Sequence, residues 1–382
     1  MTRAEVPRPD HAARRDRLRA GLGANDADRL LVTDPANVRY LSGFAGSNGQ
    51  VLVALDPGGD RLVTDDRYAE RAAVEAPDLD VIVSRDPFGV ALGEGAGAAD
   101  GGDVGAGALG WVRALAVEAD HLTWHAAERL RVLADESGTE VVATTGLVAA
   151  LRAVKDDHEL DLLARACAIT TAALEELIAE RVAPGASEHD LAVWLERRFV
   201  DLGADGVAFP SIVASGPNGA VPHHAPTRRE LVDGDLVTID CGALLGGYHA
   251  DCTRTVAVGA AGGELVEVHA LVERAQAAGR TAAVAGATSG EVDRAARSVI
   301  EEAGYGEAFV HGTGHGVGLE IHEAPAVARG AAATLQPGTA LTVEPGVYLP
   351  GTGGVRIEDT IVVTADGAPR ALTDTPRSLR LR

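Results

Sequence analysis

An α+β architecture, with helices covering one face of a largely antiparallel sheet, is what this sequence predicts. Three observations predict it. Strand-like and helix-like segments come from several parts of the chain, without regular alternation. Two acid-bearing strand segments, one starting at Gly234 and the other at Gly338, repeat one another. The character of the chain also changes around Thr145-Gly146, which divides the 382 residues into an N-terminal domain, 1–147, and a larger C-terminal domain, 148–382.

In the N-terminal region short apolar runs alternate with turn signals. Leu30-Leu31-Val32 precedes Asp34-Pro35, Val51-Leu52-Val53 precedes Asp56-Pro57-Gly58-Gly59, and Leu62-Val63 opens a further stretch that ends near Val83. These runs read as strands. Gly89 to Gly110 is rich in Gly and Ala and reads as a mobile surface loop; it has no Lys, Ser or Thr with which to cradle a phosphate. Beyond it, Leu151, Val154, Leu160, Leu163 and Ile169 fall at helical steps and predict a helix over Leu151–Leu177. Further helices fit Glu188–Leu202, Glu264–Ala278 and Ser289–Ala303, with Ser187 and Ser289 as N-caps of the first and third.

Composition narrows the function. Apolar residues make up 46% and aromatics only 3%, so Ala, Val and Leu must fill the cores. A net charge of -22, from 34 basic and 56 acidic residues, argues against nucleic acid or an anionic membrane as partner. The plain reading is a solubilising acidic surface; the functional one is attraction of a cationic group such as a free amine. Lys155 is the only lysine, which reads as compositional bias. The three cysteines, Cys167, Cys241 and Cys252, include no CxxC and form neither a disulfide framework nor a zinc finger. Cys241 and Cys252 each follow an Asp, so along a strand they point to the opposite face and read as small packing residues. The first residues are charged and lack the apolar core of a signal peptide, and no run approaches the length of a membrane helix. A cytoplasmic protein is expected.

The repeat carries the chemistry. Leu236-Val237-Thr238-Ile239-Asp240-Cys241-Gly242 leads to Asp251-Cys252-Thr253, and Leu341-Thr342-Val343-Glu344-Pro345-Gly346 leads to Glu358-Asp359-Thr360. A duplicated acid-bearing hairpin places two halves across an approximate two-fold axis, with four carboxylates near it. Two like charges about 5 Å apart repel by roughly 3 kcal/mol at an effective dielectric of about 20. Asp240 and Glu344 each end an apolar run, where charges are seldom accidental. Protonation or bound cations must relieve the strain. Solvated turns that never meet are the bland alternative.

Between the second pair of predicted helices and the second acid segment lies His311-Gly312-Thr313-Gly314-His315-Gly316-Val317-Gly318-Leu319-Glu320-Ile321-His322. Its alternate glycines exclude a stable helix and allow close backbone approach. The segment fails GxGxxG in every register and no P-loop Lys follows it; HExxH and G-x-S-x-G are absent from the chain. Asp240, Asp251, His315, Glu344 and Glu358 together can hold two divalent ions about 3.5–4 Å apart. Oxygen-rich ligation with one nitrogen suits Mn2+, with Co2+, Zn2+ or Fe2+ as alternatives. The chemistry implied is hydrolysis by a water whose pKa the ion pair lowers.

The ordered set Asp240, Asp251, His311-Gly-x-Gly-His315, Glu344-Pro-Gly and Arg356-Ile-Glu-Asp359 resembles the pita-bread metallopeptidases, in the branch of aminopeptidase P and prolidase. Phe209 to Asn218, Pro222-His223-His224, Leu151-Arg152-x-x-Lys155 and Asn37 to Ser47 extend the resemblance over roughly residues 15 to 375. It implies a C-terminal pita-bread (creatinase/aminopeptidase) fold and a smaller N-terminal α/β creatinase-like domain. It also implies that Asp240, Asp251, His315, Glu344 and Glu358 are metal ligands, Asp251 and Glu358 bridging both ions. Glu344 would be the proton acceptor, His223 a histidine behind the ligands, His322 the group that stabilises the tetrahedral oxygen and His311 a substrate-positioning residue. Arg356 and Tyr348 would brace the ligands, while His224 is readable as solvated.

The implied substrate is a peptide with a free N-terminus and proline second, and the implied assembly a homodimer whose N-terminal domain helps shape the pocket. Asn37 to Ser47 and Thr64 to Tyr68 resemble bacterial chains named aminopeptidase P, which makes Xaa-Pro aminopeptidase the first reading. The N-terminal region is shorter than in the larger aminopeptidases P, so strict dipeptide cleavage (prolidase) is the alternative. A methionine aminopeptidase usually lacks so large an N-terminal domain. A non-catalytic pita-bread binding protein usually loses ligands, and here all five positions match.

Overall fold

The computed structural model describes residues 9–93 and 109–379. These form two compact units, divided in the chain between Arg152 and Ala153.

The N-terminal unit is a six-stranded mixed sheet. Its strands are β1 (Arg29–Val32), β2 (Gly49–Ala54), β3 (Arg61–Thr64), β4 (Asp80–Val83), β5 (Ala114–Glu118) and β6 (Glu140–Thr144), in the order β4-β3-β2-β1-β5-β6. The apolar runs expected as strands all lie in it. β2 pairs antiparallel with β1 and β3, while β3–β4, β1–β5 and β5–β6 are parallel. Leu31, Leu52, Val63, Leu115 and Val117 form its core with Phe88 and Leu130 from helices. Gly89, expected to open a loop, lies instead in a short helix, Pro87–Leu92, which begins at Pro87 and ends at Gly93 with φ +88°. The rest of that expected loop, 94–108, lies outside the described residues.

In the C-terminal unit every strand pair among the described residues is antiparallel. One sheet runs Cys252–Ala257, Leu236–Cys241, Ile212–Ser215, and another runs Glu323–Val327, Gly314–Gly316, Ala340–Val343, Asp359–Val362, Arg370–Ala371. The two acid segments are therefore both antiparallel hairpins, but their registers differ. Asp240 lies opposite Thr253, whereas the corresponding Thr360 lies opposite Thr342, two residues short of Glu344. Each hairpin carries a further antiparallel ladder between its acids, Ala243–Leu245 with Tyr248–His249 in the first and the longer Gly346–Leu349 with Gly353–Arg356 in the second, so the halves match in strands and diverge in the length of the connection.

Helices Asp157–Glu180 and Glu188–Asp201 pack Leu174, Leu177, Leu195 and Phe199 against Val213, Val237 and Ile239. Helix Glu264–Ala282 places Val272 and Ala275 against Val347, Val355 and Ile357. The helix expected over Leu151–Leu177 is broken: Leu147–Arg152 is one helix and a second starts at Asp157. Asp156 causes the break, because its carboxylate caps Glu159 N–H while Glu159 returns to Asp156 N–H, a reciprocal capping box. Between the helices, Val154 bridges to Thr339. Ser187 caps its helix as expected. Thr288, not Ser289, caps the last helix, because Glu291 stands three residues after it and completes a second capping box. All three cysteines are buried and free, and Cys241 and Cys252 sit in the packing core. Burial pushes the Cys252 thiol up to about 12, so it is inert as a nucleophile.

His269, 1% exposed, bonds the Thr255 carbonyl across the helix–sheet contact, and burial lowers its pKa to about 4. The folded state thus resists a proton that the unfolded chain accepts near 6.5. Its stabilisation is complete above that value and declines as pH falls toward 4, by a total on the order of 3 kcal/mol. Unfolding in denaturant between pH 7 and 4 should show this loss, and His269→Gln, which keeps a donor for Thr255, should flatten it. An unchanged pH slope in that variant would refute the assignment.

Candidate metal centre

The hairpins and the glycine-rich segment bring the predicted acids and His315 together. Ligand atoms of Asp251, His315 and Glu358 lie within 4.8 Å of one another. His315 Nε2 is 3.3 Å from Glu344 Oε1 and 3.6 Å from Asp251 Oδ2. Asp240 joins through Arg356, which donates to its Oδ2 at 2.7 Å. The approach depends on glycine. A Cβ on Gly314 would lie 2.1 Å from the Thr342 carbonyl oxygen, and one on Gly316 would lie 2.1 Å from that of Ala324. Any side chain there would push the His315 strand off its neighbours.

Charge is badly unbalanced in this space. Burial, then the charges of Glu358, Asp240 and Glu344, push the Asp251 carboxyl far above the usual range. Glu358 is driven up by burial and by Glu344 and Asp240. Burial also raises Glu344, but the bond and charge of His315, with His311 and Arg356, outweigh it and hold Glu344 at about 2. Burial lowers His315, and its bond to the Glu344 carboxylate, with that acid's charge, more than reverses this. Asp240 Oδ1 is buried and accepts no hydrogen bond among the described residues. A buried, unbonded carboxylate oxygen beside carboxyls forced toward protonation suits a bound cation. The donor set of four carboxylates and one imidazole fits divalent ions.

The remaining predicted residues surround this cluster. Arg356 is buried and also donates to Tyr348 Oη at 2.9 Å, Thr253 Oγ1 at 3.2 Å and the Pro222 carbonyl at 3.2 Å. Burial opposes its charge, but Tyr348, Asp240 and Glu344 hold it firmly protonated. Tyr348 Oη lies 2.8 Å from His311 Nε2. Burial keeps His311 below its ordinary pKa. The exposed ring of His322 stands edge-on to His315 at 4.3 Å between centroids. His223 is exposed, and it stands near enough to His311 and His322 for a charge on its ring to disfavour protonation of both. His224 is not merely solvated; its Nε2 is 2.9 Å from the buried carboxylate of Glu188.

Three supports escaped the sequence reading. Thr253 donates to Glu358 Oε2 at 2.7 Å, fixing one oxygen of that acid; the matched Thr two residues after each acid was its only signal. Asp293 and Arg297 clamp the histidine segment, Asp293 accepting from Thr313 N–H and Oγ1, and Arg297 donating to the His311 carbonyl. Lys155, read as compositional bias, is buried and paired with Glu323, the neighbour of His322.

The chain was compared with known proteins. Residues 161–365 match the model of metallopeptidase family M24, and residues 14–154 match the creatinase/prolidase N-terminal domain. The chain belongs to metallopeptidase family M24. A solved Xaa-Pro dipeptidase from Bacillus anthracis is 36% identical with a TM-score of 0.88, covering 98% of this chain and 100% of that one. The Xaa-Pro dipeptidase of Pyrococcus horikoshii is 34% identical over 355 residues, 93% of this chain and 95% of its own. A solved X-Pro aminopeptidase from Thermotoga maritima is 31% identical with a TM-score of 0.83, covering 96% and 99%. As expected for this family, the fold is a pita-bread metallopeptidase unit after a creatinase-type unit. No helix among the described residues is long and apolar enough to cross a membrane.

If this M24 metallopeptidase binds divalent ions at the acid cluster, Mn2+ at about a hundredfold excess over its Kd should stabilise it by about 3 kcal/mol, or roughly 5–10 °C in Tm. In Asp251→Asn the rise should vanish at the same Mn2+ concentration. An equal rise in both proteins would place the ions elsewhere.

Proposed function

We propose that the chain is a dinuclear metal-dependent Xaa-Pro dipeptidase, a prolidase. One observation carries the metal chemistry: Asp251, His315 and Glu358 converge within 4.8 Å, with Glu344 against His315. The dipeptide preference is supported by the relatives: the aligned protein of P. horikoshii and the solved one of B. anthracis are both named Xaa-Pro dipeptidase and are aligned over nearly the whole chain. This favours dipeptide cleavage over the aminopeptidase reading drawn from the N-terminal segments, which the T. maritima neighbour keeps as the competing one.

In this reading Asp240, Asp251, His315, Glu344 and Glu358 would hold two divalent ions, Mn2+ by the oxygen-rich donor set, which would supply polarisation of the scissile carbonyl and a water of lowered pKa. Arg356 holds Asp240 in place and Thr253 holds Glu358, so neither carboxylate can turn away. Glu344 is kept ionised by its neighbours, so its carboxylate can accept the proton of the attacking water. His322, exposed beside His315, donates to the oxygen that becomes negative as the carbonyl is attacked. His311, oriented by Tyr348, and His223 position the dipeptide.

Release of proline from Ala-Pro and from Ala-Pro-Ala, each with Mn2+, separates the readings. Cleavage of the dipeptide alone is expected. Comparable cleavage of both would mark an aminopeptidase, and no cleavage of either with metal bound would mark a binding protein. Glu344→Gln should lower kcat by about 10²–10⁴-fold with little change in melting temperature; wild-type turnover in that variant would remove Glu344 from the proton transfer.

A further inference from the structure

His223 poses a geometric problem. Its ring is exposed, so packing does not aim it. What aims it must be the backbone that carries it. That backbone leaves the sheet at Ser215, passes through Gly216–Ala220 as a 3-10 turn, and comes back beside the start of helix Glu188–Asp201 at Thr227, whose carbonyl accepts from His189 N–H. Beside His223, the Pro222 carbonyl accepts from Arg356 at 3.2 Å, which ties the far end of this excursion to the arginine that also holds Asp240.

The near end is tied by Glu188. This residue opens the helix Glu188–Asp201 and is fully buried. One carboxylate oxygen accepts from Ser215 N–H and Ser215 Oγ, both at 2.7 Å, and from Asn218 Nδ2 at 2.9 Å. The other accepts from Thr227 N–H at 3.1 Å, Thr227 Oγ1 at 2.7 Å and His224 Nε2 at 2.9 Å. Ser215 and Thr227 are the two ends of the excursion, and both give backbone and hydroxyl donors to one carboxylate. Arg229 extends the knot, donating to Ser215 Oγ at 2.6 Å and to Asp235 at 2.6 Å. Every partner of the carboxylate named here offers a hydrogen. An acceptor-only group fits this socket, and an amide would turn its NH2 toward donors.

We propose that Glu188 is a positioning residue for His223: its carboxylate buckles the base of the 215–227 excursion, while Arg356 pins the apex, and the two together hold the exposed imidazole at the metal centre. His224 belongs to the buckle, which divides the adjacent histidines between two tasks. The inference rests on the role given to His223 under the dipeptidase reading.

The test is a double-mutant cycle on Ala-Pro hydrolysis with Mn2+, using wild type, Glu188→Gln, His223→Ala and the double variant. Glu188→Gln should cut kcat by about 10–100-fold, as loss of a group that orients a site residue commonly does, with KM moving far less. In the His223→Ala background the same change should cost less than threefold. Equal losses in both backgrounds would overturn the proposal, because Glu188 would then act by another route. Asn218→Ala, which removes one donor from the carboxylate, should show the same pattern weakly if Glu188→Gln folds poorly. A second readout does not need turnover: in histidine-labelled protein, Glu188→Gln should move the His223 ring resonances, identified by their loss in His223→Ala, and leave those of His311 in place. If wild type cleaves neither peptide, the dipeptidase reading fails, and the resonances alone decide the buckle; unmoved His223 signals would refute it.

Discussion

The C-terminal unit is organised around a repulsion. Asp251 and Glu358 are both almost completely buried and come from two different hairpins, and burial together with the charges of neighbouring acids pushes both carboxyls up, Glu358 acting on Asp251 and Glu344 on Glu358. Two like charges about 4–5 Å apart in an effective dielectric of about 20 cost on the order of 3–4 kcal/mol, a sizeable part of the roughly 5–15 kcal/mol that holds a domain folded. Such a pair persists only where the surrounding structure prevents the acids from turning outward. The strands that carry Asp240 and precede Glu344 are buried along their full length, and so are those that follow Asp251 and Glu358, so the acids have no route to solvent by backbone movement.

Fixing the acids takes hydrogen bonds of one polarity. Arg356 can serve Asp240, Tyr348, Thr253 and Pro222 at once because a guanidinium offers five donors in a rigid plane and stays charged when buried. A lysine there could not reach four partners in that arrangement. Thr253 relays the constraint, accepting from Arg356 and donating to Glu358. Acids from the two hairpins are thus locked by one shared chain of bonds, and any group bound between them meets carboxylates whose rotation has already been restricted.

The sequence disclosed the acids and His315 because each left a signal that distance along the chain does not blur: an acid at the end of an apolar run, a repeated spacing, and glycines at alternate positions. Helix starts were legible where Ser or Thr stood one residue before the helix, and misread where two candidates stood side by side, as with Thr288 and Ser289. The break at Asp156 was missed because apolar periodicity continues across it, and only the reciprocal bonds of Asp156 and Glu159 stop the helix. The register difference between the hairpins was invisible, since the repeat fixes which residues carry acids but not which residues face each other across a ladder. Lys155 figures in the sequence only within the Leu151-Arg152-x-x-Lys155 resemblance, which gives it no role, and as a lone lysine in an arginine-rich chain it resembles bias; its partner Glu323 is 168 residues away.

The histidines outside the ligand set show why such anchors evade sequence reading. His311 lies on backbone held by Arg297, and His322 adjoins Glu323, which pairs with buried Lys155. His223 lies on the excursion closed by Glu188. In each case the charged anchor is distant in sequence, buried and directed at backbone or at a neighbouring residue, never at the ring itself. The exposed rings of His223 and His322 are not aimed by packing around their own atoms, so their orientation is set one step back, by charges that bond the loop and leave the imidazole free; His311, half-buried and bonded by Tyr348, is held at the ring as well. Glu188 stands in a helix's first turn, Arg297 in a helix interior and Lys155 between two helices, where charged residues are common for ordinary reasons, so composition and spacing give them no mark. Only their burial and their bonds to the histidine-bearing segments separate them from surface charges.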